Sequence, residues 1–222
     1  YRDFVSTAPD ALTVHAGAMT LPDVGPVAVM LPVWCGAAAE GEHHLAPLRA
    51  YGRPLFDTVQ TMPYVAVQTM LDGAAPHGRH NYWKSGFVPV LPDDAGAVVG
   101  EFMRQATSPT SICLIEHVHG APTRVPVEAT AFSVREEQFH CIAVASWDAK
   151  EAESPHIQWA RGFWGAMQGW SSGRVYMNIL GQDDEGRVRD AYGPAYGRLQ
   201  AVKAKYDGAN VFAVNHNIRP QA

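Results

Sequence analysis

The sequence predicts an α+β fold: a mostly antiparallel sheet with helices packed on one face. Three observations carry that expectation. Strand-like and helix-like runs alternate irregularly along the chain, hairpin-like neighbours sit among them, and neither GxGxxG nor GxxxxGK[ST] is present to mark a nucleotide loop. The chain has 222 residues, 47% hydrophobic and 18% charged, which is ordinary globular composition with length for one large domain or a domain plus an accessory piece.

In chain order, "LTVHAGAMT" (12–20) and "PVAVMLPVW" (26–34) read as strands, with turn chemistry in the "LPDVG" between them. "AAAEGEHHLAPLRAYG" (37–52) reads as a helix closed by Gly52, "LFDTVQTM" (55–62) as a further strand, and "YVAVQTMLDG" (64–73) as a short helix ending at Gly73. "NYWKSGFVPVL" (81–91) mixes strand and loop. Acidic residues open "DDAGAVVGEFMRQA" (93–106), which suits the positive end of a helix dipole. The clearest β signals are "SICLIEHVHG" (111–120) and "QFHCIAVASW" (138–147). "SPHIQWARGFWGAMQGW" (154–170) has Ser154 as N-cap and Pro155 at the first helical position, with Ile157, Ala160, Trp164 and Met167 as its apolar stripe. "GRVYMNIL" (173–180) reads as a strand. "GPAYGRLQAVKAKYDG" (193–208) is the last helix, with Tyr196, Leu199, Val202 and Tyr206 on one face.

Composition excludes several classes. Net charge is -5 and the basic residues are scattered, so there is no electrostatic footprint for nucleic acid. No apolar run reaches the roughly 18 residues of a membrane span, and no signal-peptide pattern opens the chain. Cys35, Cys113 and Cys141 form no CxxC pair, which argues against a zinc ribbon or a disulfide framework and fits a reducing cytoplasm. Residue 1 is Tyr, and "YRDFVSTAPDALTVHAG" reads as the middle of something, so a fragment of a longer protein is expected.

Four clusters could carry chemistry. In "EHVHG" (116–120), strand geometry sets His117 and His119 on one face and Glu116 on the other. A metal there would need a distant third ligand such as His140, so no metal is expected. His140 interrupts an apolar strand; it is either a hydrogen-bonded core residue or, over a pocket, a base near neutral pH. "NYWKS" (81–85) sets two aromatics beside Lys84, as core plus a snorkelling lysine or as one wall of a site. In "VYMN" (175–178), Tyr176 and Asn178 share a face of the expected strand, able to hydrogen-bond a planar ligand or simply to line an edge.

"YGPAYGRLQAVKAKYDGANVFAVNHNIRP" (192–220) resembles the C-terminal signature of berberine bridge enzyme-like FAD-linked oxidoreductases, members of the vanillyl-alcohol oxidase fold superfamily. "PLRAYGRPLFDTVQTMPYVAVQTMLD" (47–72), "YWKS" (82–85) and "RVPVEATAF" (124–132) are similar to the substrate domain of the bacterial members, so the resemblance covers nearly the whole chain. It implies a substrate-binding domain over 1–171 and a C-terminal segment over 172–222 that returns to an FAD-binding domain absent from this sequence. It also implies FAD as cofactor, a small-molecule substrate, and oxidation of an alcohol, sugar or secondary metabolite by hydride transfer to flavin N5. Asn215 and Asn217 match the family's Asn-x-Asn motif near the flavin, with Asn178 as a further cofactor contact and Trp83 and Lys84 as pocket residues. Gly208 replaces the usual Pro, His216 a common Gln, and Ile179 the Tyr that serves plant members as base. The candidates for the base are then Glu116, His117 and His140, with Tyr176 behind them.

By this reading the chain alone is inactive, and its uncovered apolar surface favours self-association. The rival expectation is a standalone binding or interaction domain that kept the fold and lost the chemistry.

Overall fold

The computed structural model describes residues 1–221. A short helix α1 (Arg2–Val5) leads into the hairpin of β1 (Leu12–Leu21) and β2 (Gly25–Trp34). Asp23 and Gly25 take positive φ angles of 62° and 94° to close its turn, and glycine adopts that conformation without a steric cost. Then come α2 (Ala38–Ala50), α3 (Tyr64–Thr69), β3 (Arg79–Val88), α4 (Ala95–Arg104), β4 (Ile112–Val118), β5 (Gln138–Asp148) and α5 (Glu153–Met167). An irregular stretch follows, and then α6 (Val188–Tyr192) and α7 (Tyr196–Asp207).

The five strands form one antiparallel sheet in the order β2-β1-β4-β5-β3, which is the expected α+β architecture. Alternation decides which side chains meet which layer. Leu12, Val14, Cys113, Ile115, Cys141, Ala143 and Ala145 point into the main core, together with Val99 and Met103 of α4 and Trp159, Phe163 and Trp164 of α5. Gly86 of β3 lies on this face too: a Cβ there would fall 2.0 Å from the Trp164 ring. Trp159 Nε1 donates to the Phe102 carbonyl at 2.7 Å and ties α5 to α4.

The opposite face is divided. Its β3 and β5 members, among them Phe87, His140, Ile142 and Val144, are buried. Its β1, β2 and β4 members, such as Met19, Val29, Leu31 and Leu114, are half-exposed. The two edges differ as well. Beside β3, Ser172 N–H donates to the Phe87 carbonyl and Phe87 N–H to the Arg174 carbonyl, a single rung. β2, paired only with β1, carries Pro26 and Pro32. No helix among the described residues is long and apolar enough to cross a membrane.

Three expected elements differ. Residues 55–62 form no strand: Asp57 Oδ1 accepts from its neighbour Val59 N–H at 3.0 Å, a local turn that competes with pairing, and Leu55 and Phe56 stand exposed. Residues 173–180 form no strand beyond that one rung. The Ser171 and Ser172 hydroxyls take the N–H groups of Gly173 and Arg174, and a 3-10 turn occupies Met177–Ile179. Helix α5 starts at Glu153 behind Ala152, and Ser154 instead accepts from Gln158 Nε2. The expected stripe of α7 is also uncovered, with Val202 and Tyr206 exposed and no residue of that helix buried.

Candidate active site

Across the face opposite the helices, one polar row interrupts the aliphatic surface. Strand register sets His15 of β1 opposite Glu116 of β4, Glu116 opposite His140 of β5, and His140 opposite Phe87 of β3. Directly paired residues project to the same face, so three titratable groups on three strands meet in line. His140 Nδ1 lies 3.0 Å from Glu116 Oε2, and His140 Nε2 lies 3.0 Å from Ser85 Oγ. His15 Nδ1 stands 3.6 Å from the other carboxylate oxygen, an ion-pair distance rather than a hydrogen bond.

Exposure grades along the row. The side chain of His15 is 38% exposed, that of Glu116 31%, and that of His140 3%. Phe87 stacks on the His140 imidazole at 4.5 Å and Tyr176 meets it edge-on at 5.9 Å, which accounts for its burial. Burial pushes the Glu116 carboxyl up, but the His140 hydrogen bond and the His15 charge outweigh it and hold the group below the usual glutamate range. Glu116 is therefore ionised near neutrality and accepts only. His140 therefore donates from Nδ1, and its Nε2 has Ser85 Oγ as partner.

Tyr176 and Asn178 join this arrangement by a different route from the one expected. They are not on a strand; the 3-10 turn brings Asn178 Nδ2 to donate to the Tyr176 hydroxyl at 2.9 Å. The tail reaches the same turn, because His216 Nε2 contacts the Leu180 carbonyl at 2.9 Å. Asn215 has a left-handed backbone, φ 64°, and its carbonyl accepts from Asn217 N–H at 2.8 Å, so one role of the Asn-x-Asn pattern is a tight turn. Asn217 Oδ1 is shut from solvent and has no donor among the described residues. Ahead of this turn, the Asp207 carboxylate collects the N–H groups of Val211 and Phe212 and the Lys203 ammonium, which redirects the chain as it leaves α7.

Other expected site residues lie elsewhere. His117 is on the helix side of the sheet, stacked between His119 at 4.7 Å and Phe139 at 4.9 Å, with Nε2 on Glu137 at 3.0 Å. Its burial, with the neighbouring His119, lowers its pKa, while Glu137 opposes the shift. His117 and His140 therefore point to opposite faces, and no three His, Cys, Asp or Glu side chains among the described residues are placed to hold a metal ion. Trp83 shares the His140 face, but Lys84 does not. Lys84 projects to the helix side, where Nζ pairs with Asp184 at 2.8 Å beside the cluster of Tyr82, Asp183 and Arg161.

His15 and Ser85 were not expected. His15 interrupts an apolar strand just as His140 does. Only the register of strands far apart in sequence brings the two to one carboxylate. Ser85 carries no signal beyond its alternation with Gly86.

Residues 175–219 match the family model described as berberine and berberine like. The chain is 28% identical over 201 residues to an uncharacterized FAD-linked oxidoreductase, YvdP, of Bacillus subtilis (strain 168), covering 85% of this chain and 43% of that protein. It is also 28% identical over 198 residues to an FAD-linked oxidoreductase of Dictyostelium discoideum, covering 86% of this chain and 42% of that one. The fold superposes on 6-hydroxy-D-nicotine oxidase from Arthrobacter nicotinovorans with a TM-score of 0.83 at 22% identity, over 99% of this chain and 50% of that structure. It superposes on a berberine bridge enzyme variant in complex with (S)-reticuline with a TM-score of 0.84 at 16% identity, over 100% and 51%. The chain thus spans less than half the length of the curated relatives it matches and about half of those solved structures. Its C-terminal segment thus matches the berberine-like family model, and most of its length is similar to FAD-linked oxidoreductases.

Proposed function

We propose that this chain is the substrate side of an FAD-dependent oxidoreductase, with Glu116 as the base. The observation that carries the reading is the Glu116–His140–Ser85 hydrogen-bonded chain at the border between the buried and the half-open parts of one sheet face. Of the base candidates, Glu116 is ionised and partly exposed, whereas His140 is walled in by Phe87 and Tyr176. Glu116 takes the proton of a substrate hydroxyl or amine, and His140 holds the carboxylate in position. Tyr176 fixes the far side of the imidazole. Trp83 borders the same face, while Lys84, engaged with Asp184, supports the fold.

FAD, when bound, supplies the hydride acceptor. Asn217 fits its ring edge, since a buried amide oxygen without a donor suits a ring N–H. Asn178 and Asn215 flank it along the turn and the tail. In this reading residues 1–171 form the substrate-binding domain and residues 172–222 the segment that returns to the FAD-binding portion. The exposed Val211, Phe212 and Val214 of the tail, with Tyr51, Leu55 and Phe56, then lie against that portion. The chain by itself is inactive, and its three free cysteines fit a reducing cytoplasm. An alcohol, a sugar or a secondary metabolite is the substrate class.

The test is flavin reduction by substrate in the full-length protein. Glu116→Gln is expected to slow the reductive step by about 10²–10⁴-fold, the usual weight of a general base. Asn217→Ala is expected to weaken flavin retention. Wild-type reduction rates in Glu116→Gln would remove the base assignment, and unchanged flavin affinity in Asn217→Ala would remove the cofactor contact.

A further inference from the structure

Glu116 has two imidazole neighbours, and the structure makes them unequal. On one side His140 is buried, and its far nitrogen ends on Ser85 Oγ at 3.0 Å. Ser85 is itself buried, and its hydroxyl has no other hydrogen-bond partner among the described residues. A proton sent that way meets a dead end. On the other side His15 stands 3.6 Å from Glu116 Oε1, with its side chain 38% exposed.

We infer that His15 is the proton outlet of the site: the proton that Glu116 takes from substrate passes to His15 Nδ1 and leaves to water from Nε2, while Ser85 locks His140 as a fixed donor. The inference rests on Glu116 being the base. The steps balance without further reagents. Substrate O–H or N–H gives its proton to Glu116; the neutral carboxylic acid gives it to His15; and the resulting imidazolium releases its Nε2 hydrogen to solvent, as the hydride goes to the bound FAD.

The surroundings agree. The other groups that sense the Glu116 charge are Tyr1 and Cys141. Tyr1 is on the helix side of the sheet, where its hydroxyl donates to the Val14 carbonyl at 2.8 Å, and Cys141 points into the same core. Both are pushed up, mainly by burial, Cys141 to about 12, so both stay protonated and take no part. Tyr176 faces His140 rather than Glu116. His15, partly exposed and next to the Glu116 carboxylate, is placed to pass a proton outward.

The experiment uses the full-length flavoprotein and the variants His15→Gln and Glu116→Gln. In His15→Gln, kcat is expected to fall about tenfold in dilute buffer with KM unchanged, and added imidazole is expected to restore it in proportion to its concentration. A structural role for His15 would give no such rescue. Independently of turnover, ¹³C NMR of the Glu116 carboxyl is expected to show its titration midpoint rising in His15→Gln. Wild-type kcat in His15→Gln, or a Glu116 midpoint that does not move, overturns the outlet. If Glu116→Gln keeps full turnover, the base assignment falls and the outlet with it. If Glu116→Gln is dead while His15→Gln is untouched, the outlet alone falls. Covalent capture of Ser85 by a fluorophosphonate would show a nucleophile where a lock is inferred, and would also overturn it.

Discussion

Replacing Gly86 by alanine tests the face assignment on which the site depends. A Cβ at Gly86 would stand 2.0, 2.3 and 2.9 Å from three atoms of the Trp164 ring. Carbon atoms rest about 3.5–4.0 Å apart, so the indole would have to withdraw by roughly 1.5 Å. It has nowhere to go: Trp164 is buried, and Phe163 and Met167 of the same helix are fully buried. Overpacking of this kind costs about 1–3 kcal/mol, and a rigid ring between a strand and a helix belongs at the upper end. At about 2–4 °C per kcal/mol for a chain of this size, Gly86→Ala should lower Tm by roughly 4–12 °C.

A control sits on the helix that carries Trp164. Gly165 has nothing within 4 Å of its Cβ position and lies inside α5, so Gly165→Ala should gain about 0.5–1 kcal/mol of helix propensity. Urea unfolding followed by far-UV circular dichroism reads both. Opposite signs are expected. A Gly86→Ala midpoint equal to wild type would mean that β3 and α5 do not meet as described. The alternation that sets His140 and Ser85 on the other face would then fail as well.

Other consequences can be checked in the same way. Ser85→Ala leaves His140 Nε2 without a partner in a buried site, at a cost of about 1–3 kcal/mol in thermal unfolding, and an unchanged Tm would contradict the bond. Lys84→Met strands Asp184, whose side chain is 8% exposed, and should cost about 3 kcal/mol, with most of the loss recovered on adding Asp184→Asn; additive losses in the double variant would contradict the pairing. Glu116 is held below its unfolded pKa, so its contribution to stability is present above about pH 4.3 and disappears as pH falls through the folded value. Between about pH 6 and pH 3 the wild type should therefore lose more stability than Glu116→Gln, and equal losses would show that the carboxylate is not held by its imidazole neighbours.

Local pattern was enough to read most of the fold. The hairpin at 12–34, the strands at 112–118 and 138–148, and helices α4, α5 and α7 all announce themselves through periodicity and breakers that act within a few residues. The two missing strands share one cause. At 55–62 and 173–180 the composition is strand-like, but the short polar side chains of Asp57, Ser171 and Ser172 take the backbone N–H groups that a ladder would need. For the site, alternation along a strand correctly separated Glu116 from His117 and His119. It could not tell which of them faces the helices, since that is decided by partners such as Trp164 far along the chain. Register is the other missing quantity. His15, Glu116 and His140 lie on three strands with long intervening stretches, and nothing local says that they are level.

The prolines of the outer strand have a consequence for handling the chain in isolation. β2 is paired on one side only, and Pro26 and Pro32 are six residues apart, so both address the same edge. Proline is tolerated in a sheet where its missing N–H would have faced outward, and there it denies a ladder to any incoming strand. Two copies meeting at this edge cannot extend the sheet from one into the other. At this edge, contact between isolated chains would therefore go through exposed aromatic and aliphatic side chains, as a loose and detergent-sensitive association rather than as fibrous, cross-β growth.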